Sequence, residues 1–109
     1  GEPAHEAVGF GEARIVRRPV NWHGLIVERR VCVTPDQPRG IWMIDGVEIA
    51  ALCDLLKDRQ GEPAGAALEA ARQVLGVSPG ALDTAVAWLG ARRLLEPGER
   101  ISLRPVTSE

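Results

Sequence analysis

Two cysteines and two histidines are the residues of this 109-residue chain whose types could support catalysis or metal binding. Cys32 or Cys53 would need His23 beside it to form a nucleophile–base pair, because a thiol reacts only after it loses its proton. Together with His5 these residues could supply four zinc ligands, but their spacing matches no recognised ligand pattern. No glycine-rich phosphate loop or paired carboxylates accompany them. We therefore predict a protein that is not an enzyme, with no catalytic residue, no metal site, no cofactor and two buried free thiols.

The composition is that of a soluble globular domain, with 45% hydrophobic and 26% charged residues. The formal net charge is −2. Proteins that bind duplex DNA through its phosphates usually carry a basic patch or a basic balance, so DNA is possible but disfavoured as a partner. No apolar run approaches the roughly 20 residues of a membrane span, and residues 1–6 lack the features of a signal peptide. These features predict a cytoplasmic protein that does not contact membranes.

The segment VLGVSPG, residues 74–80, has the features of a turn between two helices. Gly76 can end the first helix in the left-handed conformation because it has no Cβ. Ser78 can cap the second helix, and Pro79 fits its first turn, where no backbone N–H is needed. The segment predicts a helix-turn-helix, an arrangement that serves proteins with different ligands, so function has to be argued from the surfaces.

Apolar periodicity and turn-forming residues predict strands in the first half of the chain and helices in the second. The predicted strands are 13–17, 25–34 and 41–44, with a turn at 21–24 and a loop at 34–40. The predicted helices are 46–60, 63–75 and 79–95. Asp45 and Glu48 resemble a capping box at the start of the first helix. The predicted inward stripes of the second and third helices are Leu68, Ala71, Val74 and Leu75, and Leu82, Val86, Leu89 and Leu94.

Pro97-Gly98, flanked by apolar residues, predicts a turn between two short strands over 94–103, which would be the wing. The predicted class is α+β, a winged helix-turn-helix with three N-terminal antiparallel strands followed by three helices and a short C-terminal hairpin. We predict a flexible N-terminal segment at 1–12, a single domain at 13–104 and a tail at 105–109.

Two segments carry a resemblance to a known family: 41–52 (IWMIDGVEIAAL) and 85–95 (AVAWLGARRLL). With strands before the helices, the chain is similar to the PqqD-like domains, the peptide chaperones and recognition elements of ribosomally made, post-translationally modified peptides. The similarity covers roughly residues 13–96. Two positions depart from the family: Asp45 stands where Asn is usual, and Arg93 stands where Gly is usual.

The resemblance implies that a leader peptide adds as a further strand to the open edge of the third strand, residues 40–44, and lies against the last helix. The peptide-binding residues that it implies are Arg39, Gly40, Ile41, Trp42, Met43, Leu82, Ala85, Trp88 and Arg92. Trp42 and Met43 would anchor apolar side chains, although burial of Trp42 in the core fits the sequence equally well. The two arginines would meet acidic leader residues at the rim, where each contact contributes little.

Three functions therefore stay open. The first is recognition of a peptide or protein segment, most concretely a precursor peptide delivered to a modifying enzyme. The second is a winged-helix transcriptional regulator that contacts DNA through its wing and sheet arginines, and the third is an adaptor within a larger complex. The positions of the third helix that would face a major groove carry no basic side chain; they are Gly80, Ala81, Asp83, Thr84 and Ala87. The sequence leaves the oligomeric state open.

Overall fold

The structure, a computed structural model, describes residues 12–108. Its strands are β1 (Arg14–Trp22), β2 (Leu25–Thr34), β3 (Gln37–Ile41), β4 (Met43–Ile44), β5 (Val47–Glu48) and β6 (Thr107–Ser108). Its helices are α1 (Ile49–Lys57), α2 (Ala64–Leu75) and α3 (Pro79–Ala91). Because five strands precede three helices and share a core with them, the predicted α+β class is confirmed.

Four strands form one sheet in the order β3-β2-β1-β6. β1 and β2 pair antiparallel along their whole length, whereas β6, in the predicted tail, pairs in parallel with β1 only at Arg14 and Ile15. β4 and β5 form a separate two-stranded sheet. Within residues 12–108, this order leaves β3 at an edge of the main sheet.

The first hairpin is longer than predicted. His23 (φ 52°) and Gly24 (φ 84°) alone form its turn, since two positive φ angles give the turn whose twist matches the flanking strands. β1 was predicted to stop before Pro19, but it continues through Pro19 to Trp22. Proline is tolerated there because β6 covers only the first two residues of β1, so no strand on that side needs the N–H of Pro19.

The predicted loop at 34–40 is wrong for most of its length. Only Pro35 and Asp36 form a turn, and β3 follows at once. Composition favoured a loop, but an edge strand tolerates Pro38, and Gly40 (φ 91°) lies where the β2–β3 register shifts. The predicted strand at 41–44 is therefore two strands, with a break at Trp42.

The predicted capping box is also wrong. Asp45 (φ 51°) and Gly46 (φ 78°) form the two-residue turn between β4 and β5, and the first helix begins later, at Ile49. The Glu48 carboxylate makes no capping hydrogen bond; it accepts one from Trp42 Nε1 at 2.9 Å. The Asp-Gly pair suits a tight hairpin turn as well as a helix start, and the strand pairing decides between them.

The helix-turn-helix is confirmed. Gly76 ends α2 in the left-handed conformation (φ 68°), and Ser78 Oγ accepts a hydrogen bond from the Ala81 N–H at 3.1 Å. α3 ends at Ala91, before the predicted end, because Arg93 (φ 58°) adopts a left-handed conformation. The Leu94 N–H then donates to the Leu89 carbonyl at 3.0 Å, which closes the helix end. Arg93 thus occupies a position that favours glycine.

The predicted C-terminal hairpin is present only as isolated bridges among the described residues. Leu95 pairs with Leu103, and the Glu96 N–H donates to the Ser102 carbonyl at 2.9 Å. The loop also pairs with the α1–α2 connection, where the Ile101 N–H donates to the Glu62 carbonyl at 2.8 Å. The segment therefore packs onto the body of the domain.

The main core lies between the inner face of the sheet and the helices. Its largest fully buried side chains include Ile49, Leu52, Leu56, Leu89 and Leu94. In the stripe predicted for α2, Ala71 is buried and Leu68 and Leu75 are half-buried. Val74 is 70% exposed, so the prediction is wrong for this residue. Val74 lies in the last turn of α2.

No single helix in residues 12–108 is both long enough and apolar enough to span a membrane. The pair α2 and α3 meets both criteria together, but the two helices are bent by 116° at their junction.

Candidate functional site

The free edge of β3 is the central feature of the candidate site. Among the residues that the structure describes, β3 pairs with β2 on one side and with no strand on the other. Pro38 has no N–H, and Gly40 lies at the irregularity in the ladder. The backbone that could accept a further strand is therefore short and centred on Arg39–Ile41.

α3 is linked to the segments that precede and follow this strand. Arg92, which follows α3, forms an ion pair with Asp36 in the β2–β3 turn, with Nη2 and Oδ2 2.7 Å apart. At the other end of β3, α3 packs against β4 and β5. The Arg92 guanidinium also lies over the Trp88 ring, 3.9 Å from its centroid. The end of α3 is thus tied to the turn that precedes β3.

The β2–β3 turn is held by a small polar network. Thr34 Oγ1 donates to Asp36 Oδ1 at 2.7 Å, and Arg92 Nη2 donates to the other carboxylate oxygen. The hydroxyl of Thr34, followed by the guanidinium of Arg92, lowers the pKa of Asp36. Arg92 was predicted to meet an acidic residue of a bound peptide, but in the structure its carboxylate partner is within the chain.

Apart from Arg92, the predicted peptide-binding residues divide into three groups. Leu82 and Ala85 are buried in the main core, with 5% and 0% of their surface exposed, so their side chains do not form an accessible wall. Ile41 and Trp88 are half-buried and pack against that same core from the strand and from the helix. Arg39 and Gly40 lie in β3, and Trp42 lies at the break that follows it. Met43 was predicted at the open edge, but it lies in β4 and pairs with Glu48 of β5.

Trp42 lies on the outer face of the sheet, away from the helices. It packs against a second, smaller core formed by Val16, Val31 and Val33. Its ring meets Trp22 edge to face with centroids 5.0 Å apart, and the Arg29 guanidinium lies 5.3 Å from its centroid. Sequence reasoning missed this cluster because it depends on the β1–β2 register and on the bulge at Gly40.

The two cysteines are buried free thiols. Burial raises the pKa of Cys32 to about 11 and that of Cys53 to about 12, so both thiols stay protonated near neutral pH. His23 is at the tip of the first hairpin, where its ring meets Trp22 with centroids 4.4 Å apart. Residues 12–108 contain no group of three or more side chains placed to hold a metal ion, and His5 lies outside them.

Comparison with known proteins connects this chain to a peptide-modifying enzyme. No family model and no curated protein matches the sequence. Among solved structures, the chain is similar to QhpG, described as a peptidyl tryptophan dihydroxylase essential for tryptophylquinone cofactor biogenesis. The TM-score is 0.62, with 36% sequence identity over 83% of this chain. This chain spans 19% of the length of QhpG.

The likeness to QhpG concerns one segment of that enzyme. At 36% identity the two chains share sequence as well as fold over this segment. Most of the QhpG chain lies outside the segment. The activity in the description of QhpG therefore belongs to the whole enzyme.

A concave surface that the sequence did not predict lies between α2, α3 and the C-terminal loop. It is an apolar cleft of about 400 Å³. The residues that line it include Leu68, Val86, Ala87, Gly90, Leu95 and Ile101. Ala87 and Gly90 project from a different side of α3 than Trp88 and Arg92 do, because successive helical residues are about 100° apart. The cleft and the free edge of β3 therefore flank α3 on different sides.

Proposed function

We propose that this chain is a non-catalytic recognition domain that binds a precursor peptide by strand addition and presents it to a peptide-modifying enzyme. The observation that carries the proposal is the free edge of β3 in residues 12–108, with the turn before β3 tied to the end of α3 by the Asp36–Arg92 ion pair. An added strand gains affinity from main-chain hydrogen bonds, and its side chains give the register. The surface needed is short, which fits a leader segment rather than a folded partner.

An added strand would meet different surfaces on its two faces, because successive side chains point to opposite sides. One set would face α3, where Trp88 is half-buried. The other set would lie on the outer side of the sheet, next to Trp42. The break in the ladder at Gly40 limits the registers that can form. We infer that the two tryptophans fix the peptide from opposite faces.

The likeness to QhpG supports this proposal. QhpG is described as acting on peptidyl tryptophan, so its substrate side chain is part of a polypeptide. A segment that resembles a fifth of such an enzyme fits a role in holding the polypeptide better than a role in the chemistry. The protonated thiols and the isolated His23 are consistent with a domain that does no catalysis.

The exposed surface of α3 makes DNA a poorer candidate ligand. Asp83 and Thr84 are exposed in its second turn, and the Thr84 hydroxyl donates to the Gly80 carbonyl of the same helix at 3.1 Å. Ala87 is exposed one turn later and offers no hydrogen bond. Readout of bases and phosphates requires side chains such as Arg, Lys, Asn or Gln at these positions.

Titration with a candidate leader peptide tests the proposal. We expect Trp88→Ala and Trp42→Ala each to weaken binding about tenfold or more, roughly 1.4 kcal/mol, because buried aromatic anchors dominate such interfaces. Val74→Ala is the control, since Val74 is exposed on α2 and apart from the strand edge. Isothermal titration calorimetry measures the affinities, and thermal unfolding checks that each variant is folded.

Equal affinity of the wild type and both tryptophan variants would contradict the proposal. So would a wild-type protein that ignores the peptide but binds promoter DNA with a steep dependence on salt concentration, which is the behaviour of a protein that contacts phosphates.

A further inference from the structure

The outer face of the first hairpin carries opposed arginines next to exposed apolar side chains. Cross-strand partners share a face, so the register places Arg18 opposite Arg29, Val20 opposite Val27 and Trp22 opposite Leu25 on the side that faces away from the helices. These six residues are called the hairpin surface. Trp22 is 42% exposed and Leu25 is 65% exposed.

The arginines of the two hairpin faces differ in their partners. On the inner face, Arg30 forms an ion pair with Asp54 at 2.7 Å and Arg17 lies 3.9 Å from Glu28. On the hairpin surface, Arg18 donates to the Pro38 carbonyl at 2.7 Å and Arg29 to the Glu28 carbonyl at 2.9 Å.

Neither arginine of the hairpin surface has a carboxylate partner within residues 12–108. Like charges directly opposite each other on two strands destabilise the pair. An anionic group that bridges Arg18 and Arg29 would relieve this repulsion.

We propose that the hairpin surface docks the peptide-modifying enzyme, on a part of that enzyme where carboxylates flank apolar side chains. The charge complementarity follows from the opposed arginines, and the apolar contact follows from the exposed Trp22 and Leu25. A protein partner fits better than duplex DNA, because the exposed Trp22 and Leu25 gain no contact from phosphates. This inference rests on the proposed function.

The hairpin surface is continuous with the peptide edge. Trp22 meets Trp42 at 5.0 Å between centroids, and Arg29 lies over the same Trp42 ring at 5.3 Å. Trp42 therefore borders both the proposed peptide site and the proposed enzyme site. A peptide held on β3 would lie directly beside the docked enzyme, which is what delivery of the substrate requires.

Two titrations of the same variants separate the two sites. The probes are a candidate precursor peptide and the enzyme that modifies it. We expect the double variant Arg18→Glu/Arg29→Glu and the single variant Leu25→Ser to weaken enzyme binding about tenfold or more. Leu25→Ser should leave precursor affinity within about twofold, since Leu25 is an exposed residue at the tip of the first hairpin. The double variant also removes the Arg18 hydrogen bond to Pro38 in β3 and the Arg29 contact with Trp42, so Leu25→Ser alone separates the two sites. The matched control is Lys57→Glu/Arg59→Glu, which changes the net charge equally at the end of α1.

Enzyme affinity that does not respond to the hairpin variants, or that falls equally in the control, would overturn the docking site. A wild-type protein that does not bind the enzyme would also overturn it, as would binding of duplex DNA that depends on Arg18 and Arg29. Leu25→Ser decides the matter if the double variant fails to fold, because Leu25 is exposed. Failure of the precursor titration alone would instead reject the proposed function.

Discussion

Replacing Gly40 with alanine is expected to lower the free energy of unfolding by about 2–4 kcal/mol, through backbone strain and overpacking together. Gly40 has a φ of 91°, a conformation that L side chains rarely adopt. A Cβ at this position would overlap Val31 Cγ2 and lie 2.9 Å from Val31 Cβ. Val31 is buried under the bulge and has no room to move aside. Urea unfolding followed by circular dichroism measures the change.

Gly46→Ala is the control that isolates the contribution of backbone strain. Gly46 also has a positive φ, 78°, but a Cβ there would meet nothing within 4 Å. We expect a cost of about 1 kcal/mol, the usual penalty of a left-handed non-glycine residue. Equal costs for the two variants would mean that β3 does not pass over Val31 as the structure has it.

Leu89→Ala is expected to lower the free energy of unfolding by about 3 kcal/mol, because it leaves a cavity in the main core. Leu89 has 0% of its surface exposed and also accepts the hydrogen bond that closes α3. The variant therefore tests how firmly α3, one wall of the proposed peptide site, is packed onto the sheet. Thermal and urea unfolding both give the value.

Val74→Ala makes the matched comparison in α2. The sequence pattern predicts an inward Val74, whereas the structure exposes 70% of it. We expect a change within about 0.5 kcal/mol, as for other surface substitutions. A loss comparable with that of Leu89→Ala would show that α2 is rotated relative to the structure.

The parts of the fold that depend on local chemistry could be predicted from the sequence. Gly76, Ser78 and Pro79 each have a conformational or capping role within a few residues, and all three have that role in the structure. The second strand, Leu25–Thr34, was predicted with its observed bounds because its alternating pattern is long.

The parts that depend on distant pairing could not be predicted. Pro38 and Gly40 indicate a loop by composition, but pairing with β2 makes the segment an edge strand. Asp45 and Gly46 suit either a helix start or a hairpin turn, and the pairing of β4 with β5 selects the turn. The ion pair between Arg92 and Asp36 spans more than half of the chain, so no local pattern indicates it.

The candidate site follows the same division. The sequence and its family resemblance predicted a strand edge beside the last helix, and β3 is an edge strand in the described residues. The side of the sheet on which Trp42 lies was not predictable, because it depends on how β3 pairs with β2, and no local pattern fixes that register. Trp42 consequently packs with Trp22 and Arg29 on the outer face.

The most direct test of the account is to follow the backbone amides of the ¹⁵N-labelled protein by NMR while the precursor peptide is added. We expect the amide signals of Arg39, Gly40 and Ile41 to shift and their hydrogen exchange to slow, because a new strand pairs with the edge of β3. The amides of Ala87 and Gly90, which line the cleft on the other side of α3, should remain unchanged. Shifts confined to that cleft, with the β3 amides unaffected by saturating peptide, would contradict it.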